Sequence, residues 1–208
     1  GRAEAPDGVV VVSDGRQVRE GVDRAGDEPL MLARQVPGAA VCVSPDRYLA
    51  GTLAERQLGC TVHVLDDGFQ HLQLARDLDV LVTTMGEIPE GRVLPMGRLR
   101  EPMDAAARAH VLVVSDATAG AAATEAWALG ISQSCGARRT LGAPAGIGDQ
   151  GSGIRASDAK ILAVAGIANP SRFVDALGGS GWTVADSITF PDHHRYTSAD
   201  VARIESKR

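Results

Sequence analysis

The 208 residues carry a formal net charge of −5, and only 3% of them are aromatic. A chain of this length can bury a sizeable core, either as one large domain or as two small ones. The acidic balance and the scarcity of aromatic rings argue against a nucleic-acid partner. No apolar run approaches the roughly 18 residues of a membrane span. The three cysteines lack metal-ligand spacing, so we expect free thiols, as in a reducing cytosol.

The first elements in chain order are a strand and a helix. A β-branched run at Val9–Ser13 predicts the strand. The tetrapeptide Gly26-Asp27-Glu28-Pro29 predicts a helix that starts at the proline, because acids favour the positive end of a helix dipole and proline loses nothing at the first helical position. Two interpretations of Asp27 stay open: an acid that only starts the helix, or a base that points over the edge of the sheet.

A second strand is predicted at Ala39–Ser44, and a helix follows from Pro45-Asp46 to Leu58, with Gly59 in the C-cap position. Arg47 falls in the first turn of that helix, where a cation is unfavourable for the helix dipole. A nearby anionic ligand would explain this arginine, and a solvated side chain is the simpler alternative.

The segment Thr61–His71, T-V-H-V-L-D-D-G-F-Q-H, is central to the functional prediction. Its apolar beginning is typical of a strand buried in a parallel sheet, and acids at the carboxyl end of such a strand lie where α/β sheets bind ligands. The neighbouring carboxylates of Asp66 and Asp67 repel each other, so they need a cation, a proton or strong hydrogen bonds. Gln70 and His71 could face the same crevice. The alternative is a strand that simply ends in an Asp-Asp-Gly turn.

Leu78–Thr83 is predicted to be the next strand, and a loop rich in glycine and proline follows at Gly86–Pro102. The loop carries three arginines, followed by an acid: Arg92, Arg98, Arg100 and Glu101. Guanidinium groups beside a strand edge suit phosphate binding. A solvated loop would have a similar composition.

The rest of the chain predicts further alternation of helices and strands. The elements expected are a helix at 103–109, a strand at 110–115, a helix at 118–129, a strand at 160–167, a helix from Asn169-Pro170 to Gly178-Gly179, a strand at 182–190 and a last helix opened by a capping box at Thr197–Asp200. Ser132–Asp158 shows little periodicity. We therefore predict a core at 1–138, a linker at 139–158 and a C-terminal lobe at 159–208.

Five motifs in this order resemble the tetraacyldisaccharide 4′-kinases of lipid A biosynthesis. They are G-D-E-P at Gly26–Pro29, D-D-G-F-Q-H at Asp66–His71, L-P-M-G-R-L-R-E-P at Leu94–Pro102, A-G-I-A-N-P-S-R-F at Ala165–Phe173 and F-P-D-H-H-R-Y at Phe190–Tyr196. The resemblance implies an α/β fold, with a P-loop NTPase-like, mostly parallel sheet core and a smaller C-terminal α/β lobe. It implies transfer of the ATP γ-phosphoryl group to the 4′-hydroxyl of an acylated glucosamine disaccharide 1-phosphate, with Mg²⁺, on the cytoplasmic face of the bacterial inner membrane.

The resemblance also implies which residues perform the reaction. Asp27 and His193 would activate the acceptor hydroxyl, with Asp67 as a further catalytic group, and Asp66 and Glu101 would lie at the metal. Nucleotide binding would fall to five further residues, Arg100, His71, Gln70, Glu28 and Arg47. A carboxylate–imidazole pair suits the chemistry, because a sugar hydroxyl is a poor nucleophile at neutral pH.

The phosphate-binding sequence G-x-x-x-x-G-K-[ST] does not occur in the chain. The family carries it upstream, together with a membrane-contacting segment, so we expect this chain to be an interior piece that does not turn over ATP alone. Two other functions stay open. One is a metal-dependent phosphoesterase that uses Asp192-His193-His194 with Asp66 and Asp67. The other is a non-catalytic module that binds an acyl-disaccharide phosphate.

Overall fold

The computed structural model describes residues 8–86, 92–142 and 160–207. Contacts divide the chain into two compact units, Gly1–Ala137 and Arg138–Arg208. Most of the predicted linker, residues 143–158, lies outside the described residues, as do residues 87–91 of the predicted arginine loop.

The first unit begins with an antiparallel pair of strands, β1 (Val10–Asp14) and β2 (Ala40–Val43). Between them lie two helices, α1 (Val22–Ala25) and α2 (Asp27–Gln35). The helices and strands share a small apolar core of Val10, Val12, Ala25, Leu30 and Ala33. The β-branched residues of the strands and the apolar face of α2 thus bury each other, as the sequence pattern predicts.

Helix α3 (Arg47–Leu58) begins and ends where the sequence predicts. The Asp46 carboxylate accepts a hydrogen bond from the Leu49 N–H at 3.1 Å, and Gly59 closes the helix in the left-handed conformation, with φ 70°. Both features satisfy backbone groups that a helix end leaves without partners.

A parallel three-stranded sheet forms the second half of this unit, in the order β3 (Val80–Thr84), β4 (Val111–Ser115) and β5 (Gln133–Ala137). Helix α4 (Ala119–Ala128) connects β4 to β5, and a 3₁₀ helix at Met103–Arg108 precedes β4. The core here consists of Ala109, Leu112, Val114, Ala122, Ala126 and Ile131. Leu112 and Val114, which lie on the same face of the central strand, are fully buried, while Val111 and Val113 on the opposite face are only partly buried.

Two local predictions were wrong. Residues 61–65 form no ladder in the described part of the chain, and Val62 and Val64 are 79% and 91% exposed. A strand requires a neighbour for its backbone hydrogen bonds, and the apolar pattern alone does not supply one. The segment 132–158, which we predicted to be irregular, in fact begins with strand β5. Its sequence has low β propensity, but it pairs with β4, which supplies the partner for its backbone hydrogen bonds.

The second unit contains a parallel pair, β6 (Lys160–Ala165) and β7 (Thr183–Thr189), connected by α5 (Pro170–Gly179). Pro170 occupies the first turn of α5, and the Asn169 side chain accepts a hydrogen bond from the Arg172 N–H. The last helix, α6 (Ser198–Ser206), opens with the predicted capping box of Thr197 and Asp200. All three cysteines of the chain are free thiols.

Candidate functional site

The Asp66-Asp67-Gly68 sequence forms a tight turn after residues 61–65. Asp67 has a φ of 50°, in the left-handed region, where aspartate occurs more often than most side chains. Gly68 is buried, and a Cβ at this position would lie 2.7 Å from the Cβ of Leu65. Gly68 is therefore required for close approach to Leu65, while Asp67 rather than the glycine supplies the positive φ.

The Asp67 carboxylate pairs with Arg100, which lies 33 residues further along the chain. The Arg100 Nη1 donates to Asp67 Oδ1 at 3.0 Å and to Oδ2 at 2.8 Å, and this contact raises the pKa of Arg100. Their side chains are 60% and 62% exposed, so the pair contributes little to stability. Its consequence is geometric, because it joins the Asp-Asp-Gly turn to the arginine loop.

Beside this pair lies a cavity of about 290 Å³ that brings together Gln70, Arg100 and Glu101. Apolar residues of β3 and β4, among them Leu81 and Leu112, line its other side together with Leu129, which directly follows α4. The cavity thus combines an apolar wall with convergent polar groups, the arrangement typical of a small-molecule site.

Glu101 is held in the cavity wall by Arg108. The Arg108 Nη2 donates to the two Glu101 oxygens at 2.8 and 3.1 Å, and the same guanidinium lies 5.1 Å from the centre of the Phe69 ring. Phe69 itself packs against the core of the parallel sheet. The orientation of Glu101 is therefore tied to the core through Arg108 and Phe69.

Sequence reasoning missed Arg76, which anchors the segment after the Asp-Asp-Gly turn. Its guanidinium donates to the backbone carbonyls of His71 at 2.6 Å and Leu74 at 3.1 Å, and to the Asp79 carboxylate at 2.5 and 3.3 Å. The side chains of Arg76 and Asp79 are each only 15% exposed. No motif marked Arg76, because two of its partners are backbone carbonyls, which have no sequence signature.

His71 lines a second and larger cavity of about 520 Å³ with Ser44, Asp46, Tyr48 and Gln73. Arg47 is the first residue of α3 and is half-buried, next to the capping Asp46. The structure thus places His71 close to the start of α3, where we predicted a cation in an unfavourable position. Hydroxyl, amide and aromatic groups in one cavity can bind a polar ring.

Asp27 and Glu28 are the first two residues of α2, and both are exposed. The helix therefore begins before Pro29, which takes the third helical position. The Asp27 Oδ1 accepts the Glu28 N–H at 3.1 Å. Leu30 and Ala33 bury the other side of the helix against β1 and β2, so the acidic turn is fixed to the antiparallel pair.

His193 lies in the second unit, in the loop after β7, and has a φ of 55°. Its Nε2 is 3.7 Å from the Asp192 carboxylate, and its side chain is 56% exposed. Asp27 and His193 belong to different units. Their convergence at one acceptor hydroxyl stays a prediction.

The carboxylates suit Mg²⁺ in their chemistry. Mg²⁺ binds through one or two carboxylate oxygens together with water and phosphate oxygens, so it needs no complete protein cage. Asp66 is exposed, and Glu101 presents its carboxylate at the cavity. Across residues 8–86, 92–142 and 160–207, no group of three His, Cys, Asp or Glu side chains is arranged to hold a metal.

His63 and His110 are exposed and lie outside the candidate site. His63 Nε2 lies 3.1 Å from Glu55 Oε1, and the Asp79 N–H donates to His110 Nδ1 at 2.9 Å. Both histidines are therefore hydrogen-bonded at the surface.

Asp116 is a further acid that sequence reasoning overlooked. It directly follows β4 at the carboxyl end of the parallel sheet, with a φ of 62° and its N–H bonded to the Ala137 carbonyl at 2.6 Å. Its position after the strand Val111–Ser115 could have indicated this edge of the sheet.

Among the helices that the structure describes, none is both long enough and apolar enough to cross a membrane.

The fold and the cavity define an α/β protein of the P-loop NTPase-like class. The crystal structure of LpxK from Aquifex aeolicus in complex with ATP is similar, with a TM-score of 0.69 and 28% sequence identity, over 92% of this chain and 60% of that one. The sequence model of the tetraacyldisaccharide-1-P 4′-kinase family, LpxK, matches residues 2–208. The chain belongs to that family.

Relatives named tetraacyldisaccharide 4′-kinase show the same similarity. The protein of Geobacter sulfurreducens is 40% identical over 202 residues, which cover 93% of this chain and 55% of that protein. The protein of Chlorobaculum parvum is 37% identical over 220 residues, which cover 97% of this chain and 58% of its own length. The chain thus spans somewhat more than half the length of the relatives it matches.

Proposed function

We propose that the protein transfers the γ-phosphoryl group of ATP to the 4′-hydroxyl of tetraacyldisaccharide 1-phosphate, a step in lipid A biosynthesis. The observation that carries the proposal is the Asp67–Arg100 pair at the cavity lined by Gln70 and Glu101. It gathers four of the predicted site residues from two separate sequence motifs, in a chain that belongs to the kinase family.

The acceptor side of the reaction needs a base. As the acceptor oxygen attacks the γ-phosphorus, the bond from that phosphorus to the bridging oxygen breaks and ADP leaves. The hydroxyl proton passes to a base, the role that the family resemblance assigns to the Asp27 carboxylate and the His193 imidazole. A positioned base of this kind contributes on the order of 10²–10⁴-fold in rate.

The nucleotide side of the reaction needs positive charge on the transferring phosphoryl group. We propose that Arg100, oriented by Asp67, donates to the phosphate oxygens, and that Gln70 and Glu28 contribute to nucleotide binding. Asp66 and Glu101 would hold Mg²⁺, which neutralises phosphate charge when it is bound.

We propose that Arg47 and His71 also contribute to nucleotide binding, because His71 lines the second cavity and Arg47 is the first residue of α3 beside it. A guanidinium there can meet an anionic phosphate, while Ser44, Tyr48 and Gln73 offer hydroxyl, ring and amide contacts to a sugar. The acyl chains of the acceptor reside in a bilayer, so we propose that the protein acts at the cytoplasmic face of the inner membrane.

The test uses the full-length gene product with ATP labelled at the γ-phosphate and tetraacyldisaccharide 1-phosphate. We expect label in the lipid only when both substrates and Mg²⁺ are present. Hydrolysis of a phosphoester by the metal-loaded protein without ATP would contradict the proposal and support the phosphoesterase instead. Binding of the lipid without any transfer would support the non-catalytic module.

A further inference from the structure

The loop after β7, residues 191–196, is built around an aromatic cluster. Phe190 is buried, and its N–H donates to the Ala165 carbonyl of β6 at 2.8 Å. The His194 ring stacks on Phe190 with centroids 4.6 Å apart and an interplanar angle of 18°. Tyr196 meets both rings edge-on, at 5.1 and 5.2 Å. The residue after His193 is thus packed against the end of the sheet.

Gly166 leaves room for this cluster at the end of β6. A Cβ at position 166 would lie 3.0 Å from the Tyr196 hydroxyl and 3.5 Å from the His194 Cβ. The loop therefore approaches the strand as closely as a glycine allows, so small displacements of His194 are resisted by packing.

A hydrogen bond ties the same histidine to the last helix. His194 Nε2 lies 3.0 Å from Asp200 Oδ2, and that oxygen also accepts the Thr197 N–H at 2.8 Å and the Thr197 hydroxyl at 2.7 Å. These hydrogen bonds lower the pKa of Asp200 to about 2. The carboxylate is therefore ionised and only accepts, so His194 carries its proton on Nε2.

His193 lies between these anchors in a backbone conformation that few residues adopt. Its φ is 55°, and the His194 N–H closes the turn by donating to the Pro191 carbonyl at 3.2 Å. A left-handed conformation in a residue other than glycine persists only where its surroundings determine it. Here the surroundings are the stacked His194 ring and its bond to Asp200.

We propose that His194 and Asp200 are positioning residues that hold His193 where it can accept the proton of the substrate hydroxyl. This inference rests on the proposed function, in which His193 is half of the base. His194 itself is oriented away from solvent, with its side chain 25% exposed against 56% for His193. The two adjacent histidines thus have different roles: His194 positions the loop, and His193 accepts the proton.

The test is a double-mutant cycle in the full-length gene product with ATP and tetraacyldisaccharide 1-phosphate. We expect His194→Ala to lower kcat on the order of 10²-fold, the effect of a misplacement of about 1 Å, while KM for ATP changes little. In a His193→Ala background the same substitution should have no further effect, because the group that it positions is absent. His194→Gln, whose amide can still donate to Asp200, should recover most of the activity.

Asp200→Asn is a second test of the positioning of His193 and should also lower kcat. The matched control is Asp186→Asn, which removes an ion pair with Lys207 at 2.6 Å in the same unit without touching the loop. The control should leave kcat unchanged. Should His194→Ala fail to fold, Asp200→Asn takes its place in the cycle with His193→Ala.

The outcomes separate this inference from the proposed function. A wild-type protein that transfers no phosphoryl group overturns both. An active wild type with an impaired His193→Ala variant and a fully active His194→Ala variant overturns the positioning alone. Equal losses from His194→Ala with and without His193 also overturn it, since they show that His194 acts by another route.

Discussion

Arg76 and Asp79 are joined by two hydrogen bonds, at 2.5 and 3.3 Å, behind the segment that carries Gln70 and His71. The same guanidinium donates to the carbonyls of His71 and Leu74. One largely buried side chain therefore fixes the path of the chain between the two cavities. Substituting Arg76 tests how much these hydrogen bonds contribute to the stability of the protein.

Arg76→Gln should lower the free energy of unfolding by about 1–3 kcal/mol, because it leaves two partly buried carbonyls and the Asp79 carboxylate without their donor. Urea unfolding measures this loss. The matched control is Arg24→Gln, which breaks an exposed ion pair with Glu20 at 2.8 Å and should cost less than about 1 kcal/mol. Equal losses in the two variants would contradict the anchoring by Arg76.

The Asp67–Arg100 pair should matter for activity and not for stability. Removing one donor that stabilises developing charge typically costs on the order of 10²–10³-fold in kcat, so we expect a loss of that size in Arg100→Gln. The melting temperature should stay near that of the wild type, because both side chains are mostly exposed. Arg19→Gln, which breaks an ion pair between a half-exposed arginine and the largely buried Asp14, is the control for activity and should keep full activity. A large fall in melting temperature for Arg100→Gln would show that the pair is structural.

Gly68→Ala should destabilise the protein by about 1–3 kcal/mol, because its Cβ cannot be accommodated without moving Leu65 or the turn. Its control is Gly51→Ala in α3, where a Cβ meets nothing within 4 Å. There alanine should stabilise the helix by roughly 0.5–1 kcal/mol. Thermal unfolding of the two variants should therefore shift in opposite directions, and a shift in the same direction would contradict the close approach.

Acid should destabilise the second unit in a defined range of pH. The pKa of Asp200 is about 2 in the folded protein against an ordinary value of 3.8, so the unfolded chain binds more protons between these values. Stability is then fully present above about pH 4 and falls as the pH drops towards 2. Trp182 fluorescence in a Trp127→Phe background reports this unfolding, since the chain has two tryptophans.

Asp200→Asn should remove part of that acid dependence, because asparagine does not titrate. The remainder should persist, since the Lys207 ammonium and the Ser187 N–H also lower the pKa of Asp186. The double variant Asp200→Asn, Asp186→Asn should flatten the curve further. An unchanged slope between pH 4 and pH 2 in Asp200→Asn would contradict this assignment.

Local sequence determined most of the elements and the motifs. The caps of α3 and α6, the proline at the start of α5 and the apolar strands β4 and β6 all follow from residues within a few positions of each other. Such features depend on backbone conformations and hydrogen bonds that neighbouring residues make among themselves. The five motifs in order likewise indicated the family to which the chain belongs.

Only the tertiary structure decided which distant groups meet. Arg100 reaches Asp67 across 33 residues, Arg76 binds carbonyls, and residues 61–65 remain without a partner strand in the described part of the chain despite a strand-like pattern. Contacts of this kind depend on where separate elements pack, and the apolar periodicity of each element is compatible with many such arrangements. Local chemistry therefore identified the residues of the candidate site, and packing determined which of them lie at the same cavity.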